Sequence, residues 1–427
     1  MKNSIALSAC DECFVAGGTP KTIGSAVFFS GPVPDVDELR DLVVKRFGSL
    51  LRMRSVLCPP PAPGSLRRHR WLALDRFDPA GQVRGAAPGT SLAELVDAAV
   101  RRRLPAGLPP WRLHLVPGTG PGEEGFALLL TAHHAALDGR SLETLLHLLL
   151  DGPTPVGREP AARSHAPGPG LGGFGRLGRD LLHQARPSRR LPGAPGDPTT
   201  AWTEVDPAAV RAARRSLPGA GISLNDVLLA GVAGVLRDVH GPLTGWPGRD
   251  RPVYALVPVD LRPPGTNGEL GNVISAARVA LPVGLDRPAD RLAACHEAVV
   301  APGFRSRAVN AARLLRGTAL LGAWAARAAG AHAIAPSYAP VCCTTLMLRR
   351  GPWYLLGRPL TGGMVLPDLP PPGAVSFFLA GHTRTPERAA RLTLTVVSHG
   401  ATPAARLTGD FTRALAELAA NGPAVRS

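Results

Sequence analysis

Two adjacent histidines, His133 and His134, are the residues of this 427-residue chain best suited to acid–base chemistry. An apolar run at 126–130 precedes them and predicts a short buried strand. Asp138 and Gly139 follow and predict a tight turn, after which an apolar helix begins. Because histidine titrates near neutral pH, one held at a strand end can take a proton from a hydroxyl or amine group.

The residues alone leave three interpretations of the histidine pair open: catalysis, packing in a core, and metal binding. We expect no metal, because neighbours on a strand point to opposite faces and cannot easily share one ion. The Gly-x-Ser-x-Gly motif is absent, which favours direct transfer between two bound substrates over a serine acyl-enzyme. We expect Asp138 to act as a scaffold that accepts N–H groups or pairs with an arginine. Gly139 would supply backbone freedom for the turn.

Other candidate residues lie further along the chain. Ser223 with Asp226 forms a capping-box signature, so we expect Asn225 and Asp226 to serve mainly in capping a helix. Arg262 follows a predicted strand and either forms a surface pair with Asp260 or reaches across a domain interface. Trp111 comes after two prolines at the start of another strand, and it is a structural or substrate-binding candidate.

The composition limits the partners. The net charge is +16, and 45 of the 48 basic residues are arginines scattered along the chain. Aromatic residues make up only 5%, which leaves little material for stacking bases and argues against nucleic-acid binding. Coenzyme A phosphates, an acidic carrier protein or an anionic membrane surface fit the charge better.

The cysteines and the N-terminus indicate a cytoplasmic protein. Six cysteines over this length do not form a disulfide framework, and the CxxC at Cys10 and Cys13 has no second pair. The first 13 residues lack the apolar core of a signal peptide. The segment 317–326 is apolar but too short to span a bilayer. We expect it to be part of one long helix, 309–331, and leave peripheral association with the inner membrane surface open.

The length predicts two domains. Both halves mix helices with strands, so we expect an α/β fold with mixed sheets. Our boundaries are 1–151 for the N-terminal domain, 152–200 for a linker rich in Pro, Gly and Arg, and 201–427 for the C-terminal domain. A short helix at 177–184 would lie within the linker.

The ordered motifs resemble a known family. Residues 133–139 match the HHxxxDG signature of coenzyme A- and carrier-dependent acyltransferases, a group that includes chloramphenicol acetyltransferase and peptide-synthetase condensation domains. Other stretches are similar to the wax ester synthase/diacylglycerol acyltransferase family: Leu7-Ser8 with Asp11 and Phe14, Pro109-Pro110-Trp111, 225–230 with Gly234, 257–262, Gly271-Asn272 and Leu281-Pro282. The segment near 342–352 departs from the Asn-Val-Pro-Gly-Pro sequence of that family.

The resemblance implies two chloramphenicol-acetyltransferase-like domains with a tunnel between them. His134 would deprotonate a hydroxyl acceptor, His133 would support it, and Asp138 would be structural, held by Arg262. Acyl-CoA would be a substrate, and no cofactor is implied. One alternative is a free-standing condensation-like enzyme of secondary metabolism, which would move a carrier-bound acyl group to a hydroxyl or an amine. Another is a non-catalytic binding protein with the same fold.

Overall fold

The computed structural model describes residues 4–15, 20–60, 67–75, 78–119, 124–151, 186–194, 196–217, 219–242, 251–266, 268–301, 303–348, 351–382 and 391–420. Helices and strands alternate through both halves of the chain. The first half contains β1 (Ser4–Ala6), α1 (Ala9–Val15), β2 (Thr22–Phe29), α2 (Val36–Phe47), β3 (Ser55–Cys58), β4 (Arg70–Ala73), β5 (Val83–Gly85), α3 (Leu92–Arg101), β6 (Trp111–Pro117), β7 (Phe126–His133) and α4 (Gly139–Leu149).

The second half has a similar mixture. It contains β8 (Thr199–Val205), α5 (Pro207–Arg215), α6 (Leu224–His240), β9 (Val253–Asp260), β10 (Ile274–Leu281), α7 (Pro288–Val300), α8 (Phe304–Leu320), α9 (Ala323–Ala333), β11 (Val341–Met347), β12 (Tyr354–Leu355), β13 (Arg358–Leu366), β14 (Val375–His382), β15 (Arg391–Ser398) and α10 (Ala404–Ala420). The predicted mixed α/β class is confirmed.

Two six-stranded sheets form the centre of the molecule. The first has the order β12-β13-β2-β7-β6-β5, and the second has the order β10-β9-β11-β14-β15-β8. In the first sheet, β13 pairs antiparallel with β2, although Phe28 and its partner Gly362 lie 334 positions apart in the sequence. The region assigned to the C-terminal domain therefore contributes two strands to the N-terminal sheet, while the predicted boundaries at 151 and 201 stay a prediction.

Strand β7 is buried on both faces. Leu128, Leu130 and Ala132 belong to a core shared with α2 and α4, whereas Ala127 and Leu129 belong to a second core on the opposite face of the sheet. A strand covered on both sides needs a nearly continuous apolar sequence, which explains the run that precedes the histidines. The strand end that carries His133 is consequently fixed by packing.

The prediction of one helix at 309–331 is wrong. The chain forms two helices, α8 and α9, and Gly322 between them has a φ of +110°. That conformation interrupts a helix and suits glycine, but an alanine-rich sequence conceals the break because its apolar residues run through it. The predicted helix at 177–184 lies outside the described residues. Among the helices that the structure describes, none has both the length and the apolarity to cross a membrane.

Helix α6 packs closely against α10 through a glycine. A Cβ placed on Gly231 would lie 2.6 Å from Cε2 of Phe411 in α10, whose side chain is fully buried. We expect Gly231→Ala to lower the free energy of unfolding by about 1–3 kcal/mol, because the core is overpacked. Urea unfolding measures this loss.

The matched control is Gly409→Ala in α10, where a Cβ would meet no atom within 4 Å. That change should leave stability unaltered or raise it by about 1 kcal/mol, because alanine favours the helix. Equal stability of the two variants would contradict the tight contact at Gly231.

Candidate active site

His133 is the last residue of β7 and lies opposite Thr22 of β2. Its N–H donates to the Pro110 carbonyl at 2.9 Å, and its Nδ1 accepts from the Ala135 N–H at 3.1 Å. Burial, together with the neighbouring His134 and Lys21, lowers the pKa of His133 to about 4. The ring is therefore neutral at neutral pH, and its Nδ1 is already engaged in a hydrogen bond within the turn.

His134 is held by both halves of the chain. Its N–H donates to the Lys21 carbonyl at 2.7 Å, and its own carbonyl accepts from Nδ2 of Asn272 at 2.6 Å. The imidazole stacks on Phe14 of α1, with ring centroids 3.8 Å apart and planes inclined by 8°. Within the described part of the chain its Nδ1 is buried and has no hydrogen-bond partner. The backbone and the ring plane are thus fixed without a carboxylate on the ring.

Asp138 is the N-cap of α4, and its carboxylate is fully occupied. Oδ1 accepts from the Ser141 N–H at 2.8 Å and from Nη2 of Arg262 at 3.0 Å. Oδ2 accepts from Nη1 of Arg262 at 2.9 Å and from the Val273 N–H at 3.1 Å. Both charged side chains are 1% exposed. The predicted contact between Asp138 and Arg262 is present, and neither histidine ring is among these partners.

The arginine brings a loop of the second half against the turn of the first. Besides Asp138, the Arg262 guanidinium donates to the carbonyls of Glu269 and Gly271 and to Asp260. Burial opposes the charge, but Asp138 and Asp260 outweigh it and raise the pKa of Arg262. This bidentate geometry suits a guanidinium and would not suit a lysine.

Gly271 completes this contact. Its φ is +103°, and a Cβ there would lie 2.9 Å from the guanidinium of Arg52. Both the left-handed backbone and the close approach of Arg52 require glycine. The Gly271 N–H donates to the Ser141 hydroxyl at 2.9 Å, so α4 and this loop are joined directly.

Helix α1 lies over the site and is anchored at two points. Asp11 accepts from Nδ2 of Asn272 at 2.9 Å, the same amide group that contacts the His134 carbonyl. Glu12, 0% exposed, accepts from Nδ1 of His69 at 2.7 Å and from Arg327 of α9 at 2.9 Å. Burial opposes the Glu12 charge, but these hydrogen bonds outweigh it and lower its pKa. The anchored helix places Phe14 against the His134 ring.

The other residues that the sequence suggested for the site, Trp111, Asn225 and Asp226, have contacts away from the histidine rings. Trp111 is 1% exposed, and its Nε1 donates to the Met53 carbonyl at 2.7 Å, which places it in the core. Asp226 closes a capping box with Ser223 and contacts His296, while Asn225 is half-buried beside it at the start of α6.

The expectation for Gly139 needs correction. Gly139 is the first residue of α4, is not among the positive-φ glycines of the described chain, and a Cβ there would meet nothing within 4 Å. The turn does not require glycine for conformational reasons, because Asp138 already caps the helix with extended backbone.

Sequence reasoning assigned no site role to several residues that contact the histidine turn or the Asn272 side chain beside it. Asn272, Asp11 and Phe14 were noticed only as fragments of family motifs, and Arg52 carried no signal. Lys21 was overlooked although it is one of three lysines; its side chain is 3% exposed and forms no hydrogen bond or ion pair among the described residues. A lysine at the start of an apolar strand was the available signal.

The two cysteines of the CxxC do not act as a pair. The Cys10 thiol lies 3.7 Å from the Ile274 carbonyl, and the Cys13 thiol lies 3.2 Å from the Ala326 carbonyl. Burial raises the pKa of the Cys13 thiol to about 12, which opposes formation of a reactive thiolate.

Comparison with known proteins identifies the family. The model of the wax ester synthase/diacylglycerol acyltransferase catalytic domain matches residues 7–228. A Mycobacterium tuberculosis (strain H37Rv) protein named as a diacylglycerol O-acyltransferase is 30% identical over 402 residues, which cover 83% of this chain and 87% of the relative. This chain belongs to the wax ester synthase/diacylglycerol acyltransferase family. It is an acyltransferase.

Solved structures show the fold of this acyltransferase. The wax ester synthase/diacylglycerol acyltransferase from Marinobacter aquaeolei VT8 superposes with a TM-score of 0.64 at 19% identity, over 98% of this chain and 99% of that one. The first condensation domain of the calcium-dependent antibiotic synthetase gives 0.65 at 18% identity, over 99% and 98%. The predicted two-domain architecture of this superfamily is confirmed.

Removing the arginine of the buried pair should destabilise this acyltransferase strongly. Arg262→Met leaves the Asp138 carboxylate buried without its counter-ion, so we expect a loss of about 3–5 kcal/mol in the free energy of unfolding. Urea unfolding at neutral pH measures it. As a control, Arg101→Met removes an exposed arginine near Asp97 and Asp197 and should cost less than about 1 kcal/mol. Similar losses in both variants would contradict the importance of the buried pair.

His133 should make stability depend on pH. The unfolded chain protonates this histidine near pH 6.5, whereas the folded chain keeps it neutral down to about pH 4. The unfolded state therefore binds more protons in this window, and stability falls as the pH drops from 6.5 towards 4. From this residue alone we expect a loss of about 2 kcal/mol between pH 7 and pH 5.

His133→Asn tests this assignment, because asparagine keeps an acceptor for the Ala135 N–H but does not titrate. Urea unfolding at both pH values should show a smaller pH-dependent loss in the variant than in the unaltered protein. An identical loss in both proteins would show that the acid sensitivity arises elsewhere.

Proposed function

We propose that this protein is an O-acyltransferase that moves an acyl group from acyl-CoA to a hydroxyl group of a lipid acceptor, with His134 as the general base. The observation that carries this proposal is the placement of His134 at the end of a buried strand, with its backbone bound to Lys21 and Asn272 and its ring held by Phe14. The names of the mycobacterial relatives support the hydroxyl acceptor.

The proposed reaction requires one base. A nitrogen of His134 takes the proton of the acceptor hydroxyl while its oxygen attacks the thioester carbonyl carbon. The tetrahedral intermediate collapses, the C–S bond breaks, and the protonated imidazole returns the proton to the coenzyme A thiolate. Both reactants are substrates, so the proposal needs no cofactor.

The surroundings of His134 give each neighbour a part in this scheme. Asp138 does not take the proton, because its oxygens are occupied by Arg262, Ser141 and Val273. It holds the turn and α4 in place. His133 remains neutral and supports the turn through Ala135. Binding both substrates beside a fixed base supplies proximity, which can contribute several kcal/mol to lowering the barrier.

Thiol release by the purified protein tests the proposal. With acyl-CoA and a long-chain alcohol or a diacylglycerol, the unaltered protein should release coenzyme A, and His134→Ala should lower the rate roughly 10²–10⁴-fold. Full activity in His134→Ala would exclude it as the base. His296→Ala is a matched control, because that residue contacts Asp226 in α6 rather than the signature.

Competition between donors separates the proposal from the condensation-like alternative. Equal amounts of acyl-CoA and acyl-carrier protein are offered with one acceptor, and the product is followed with isotopically distinct acyl chains. The proposal predicts that the acyl group comes mainly from coenzyme A. Transfer mainly from the carrier would favour the alternative, and no transfer from either donor would favour a binding protein.

A further inference from the structure

Lys21 is a buried cation without a counter-ion. It is 3% exposed, and its side chain forms no hydrogen bond or ion pair among the described residues. Taking an ammonium group out of water costs several kcal/mol unless an anion pairs with it, so lysine is almost never fully buried unless paired. Folded proteins keep such a costly arrangement mainly at functional sites. Lys21 therefore needs a negative partner that the protein itself does not supply.

The carboxylates around the histidine turn do not neutralise Lys21. Each of the buried ones is paired with another cation: Asp138 with Arg262, Asp11 with Arg52, and Glu12 with Arg327. Burial lowers the pKa of His133 and Asp368 opposes this effect, but Asp368 forms no ion pair with Lys21 among the described residues. Arg103 adds a further positive charge near the same ring. The ammonium charge is thus available to a negative group that the substrates bring.

Lys21 lies directly opposite His134. The pairing of β2 with β7 ends at Thr22 and His133, and the next step is the hydrogen bond from the His134 N–H to the Lys21 carbonyl at 2.7 Å. Residues directly opposite each other in an antiparallel pair carry their side chains on one face, with Cβ atoms about 4.5–5.5 Å apart. After burial and His134, Lys21 is also the next cause of the lowered pKa of His133, which places the ammonium group near both histidines.

Acyl transfer creates a negative charge at this place. When the acceptor oxygen bonds to the thioester carbon, the electron pair of the C=O double bond moves to the carbonyl oxygen, and this oxyanion becomes a carbonyl again as the C–S bond breaks. An ammonium group is a compact charge with three N–H donors, whereas a guanidinium is a planar fork that suits a carboxylate. We propose that Lys21 is a catalytic residue whose ammonium group donates to this oxyanion in the tetrahedral intermediate. The inference rests on the proposed acyl transfer with His134 as the base.

A permanent anion on a substrate, such as a carboxylate, is the other partner that Lys21 could meet. Such an anion is bound equally in the ground state and in the transition state, so loss of Lys21 would raise KM and leave kcat unchanged. The oxyanion exists only during the reaction, so loss of Lys21 would lower kcat instead. Steady-state kinetics therefore distinguishes the two.

Thiol release by Lys21→Met, which is similar in length but uncharged, tests the proposal. We expect kcat to fall roughly 10²–10³-fold, as for the loss of an oxyanion donor, while KM stays within about threefold of the value for the unaltered protein. Lys21→Arg keeps a positive charge and should be at least about tenfold faster than Lys21→Met. Lys45→Met is the matched control, because Lys45 is exposed in α2, and it should react at the rate of the unaltered protein.

Urea unfolding of the same variants gives a second readout that a structural lysine would not produce. Lys21→Met removes a buried charge that lacks a counter-ion, so its unfolding midpoint should lie at a higher urea concentration than that of the unaltered protein. The variant should therefore be slower and more stable at once, as expected where a residue is kept for activity at the expense of stability.

Three outcomes would overturn the role of Lys21. The first is that Lys21→Met retains kcat while His134→Ala loses it, which would exclude Lys21 and leave the proposed base in place. The second is that Lys21→Met raises KM without lowering kcat, which would assign Lys21 to a permanent anion. The third is that Lys21→Met is both slower and less stable than the unaltered protein, which would make the lysine structural. Full activity in His134→Ala would instead refute the proposed function, and the role of Lys21 with it.

Discussion

The buried ion pair between Asp138 and Arg262 is the interaction on which the rest of the site depends. Two fully buried charges are tolerated only where each is paired and hydrogen-bonded. Here Ser141, Val273 and the carbonyls of a loop complete the shell around them. The pair therefore forces the start of α4, from the first half of the chain, to meet the loop that follows β9 in the second half.

The position of His134 follows from that meeting. The loop held by Arg262 carries Asn272, whose amide reaches both the His134 carbonyl and Asp11 of α1. Helix α1 in turn supplies Phe14 to the imidazole ring. Three segments far apart in sequence thus converge on one histidine. Fixed geometry of this kind costs no reorganisation during a reaction and is what a general base requires.

Much of this could be predicted from the sequence, and the limits have physical reasons. The unbroken apolar run at 126–130 identified β7, because a strand buried on both faces has a nearly continuous apolar sequence. The run of apolar residues after Asp138 identified the helix that follows. Arg262 was found through its motif. The pairing of β13 with β2 and the contact of Asn272 with His134 could not be predicted, since they join residues that are distant in sequence. The contacts of Phe14 and Lys21 with His134 could likewise not be predicted, because only the fold brings these residues to the histidine turn.

A double-mutant cycle on kcat/KM tests most directly whether the Asp138–Arg262 pair and the loop it holds position His134. The cycle combines Arg262→Lys, which keeps the charge but loses the bidentate geometry, with Asn272→Ala, which removes the contact to the His134 carbonyl. Because both changes act through the position of one histidine, their effects should be non-additive, with a coupling of at least about 1 kcal/mol. Effects that add within about 0.5 kcal/mol would contradict the account, because they would mean that the two residues act independently.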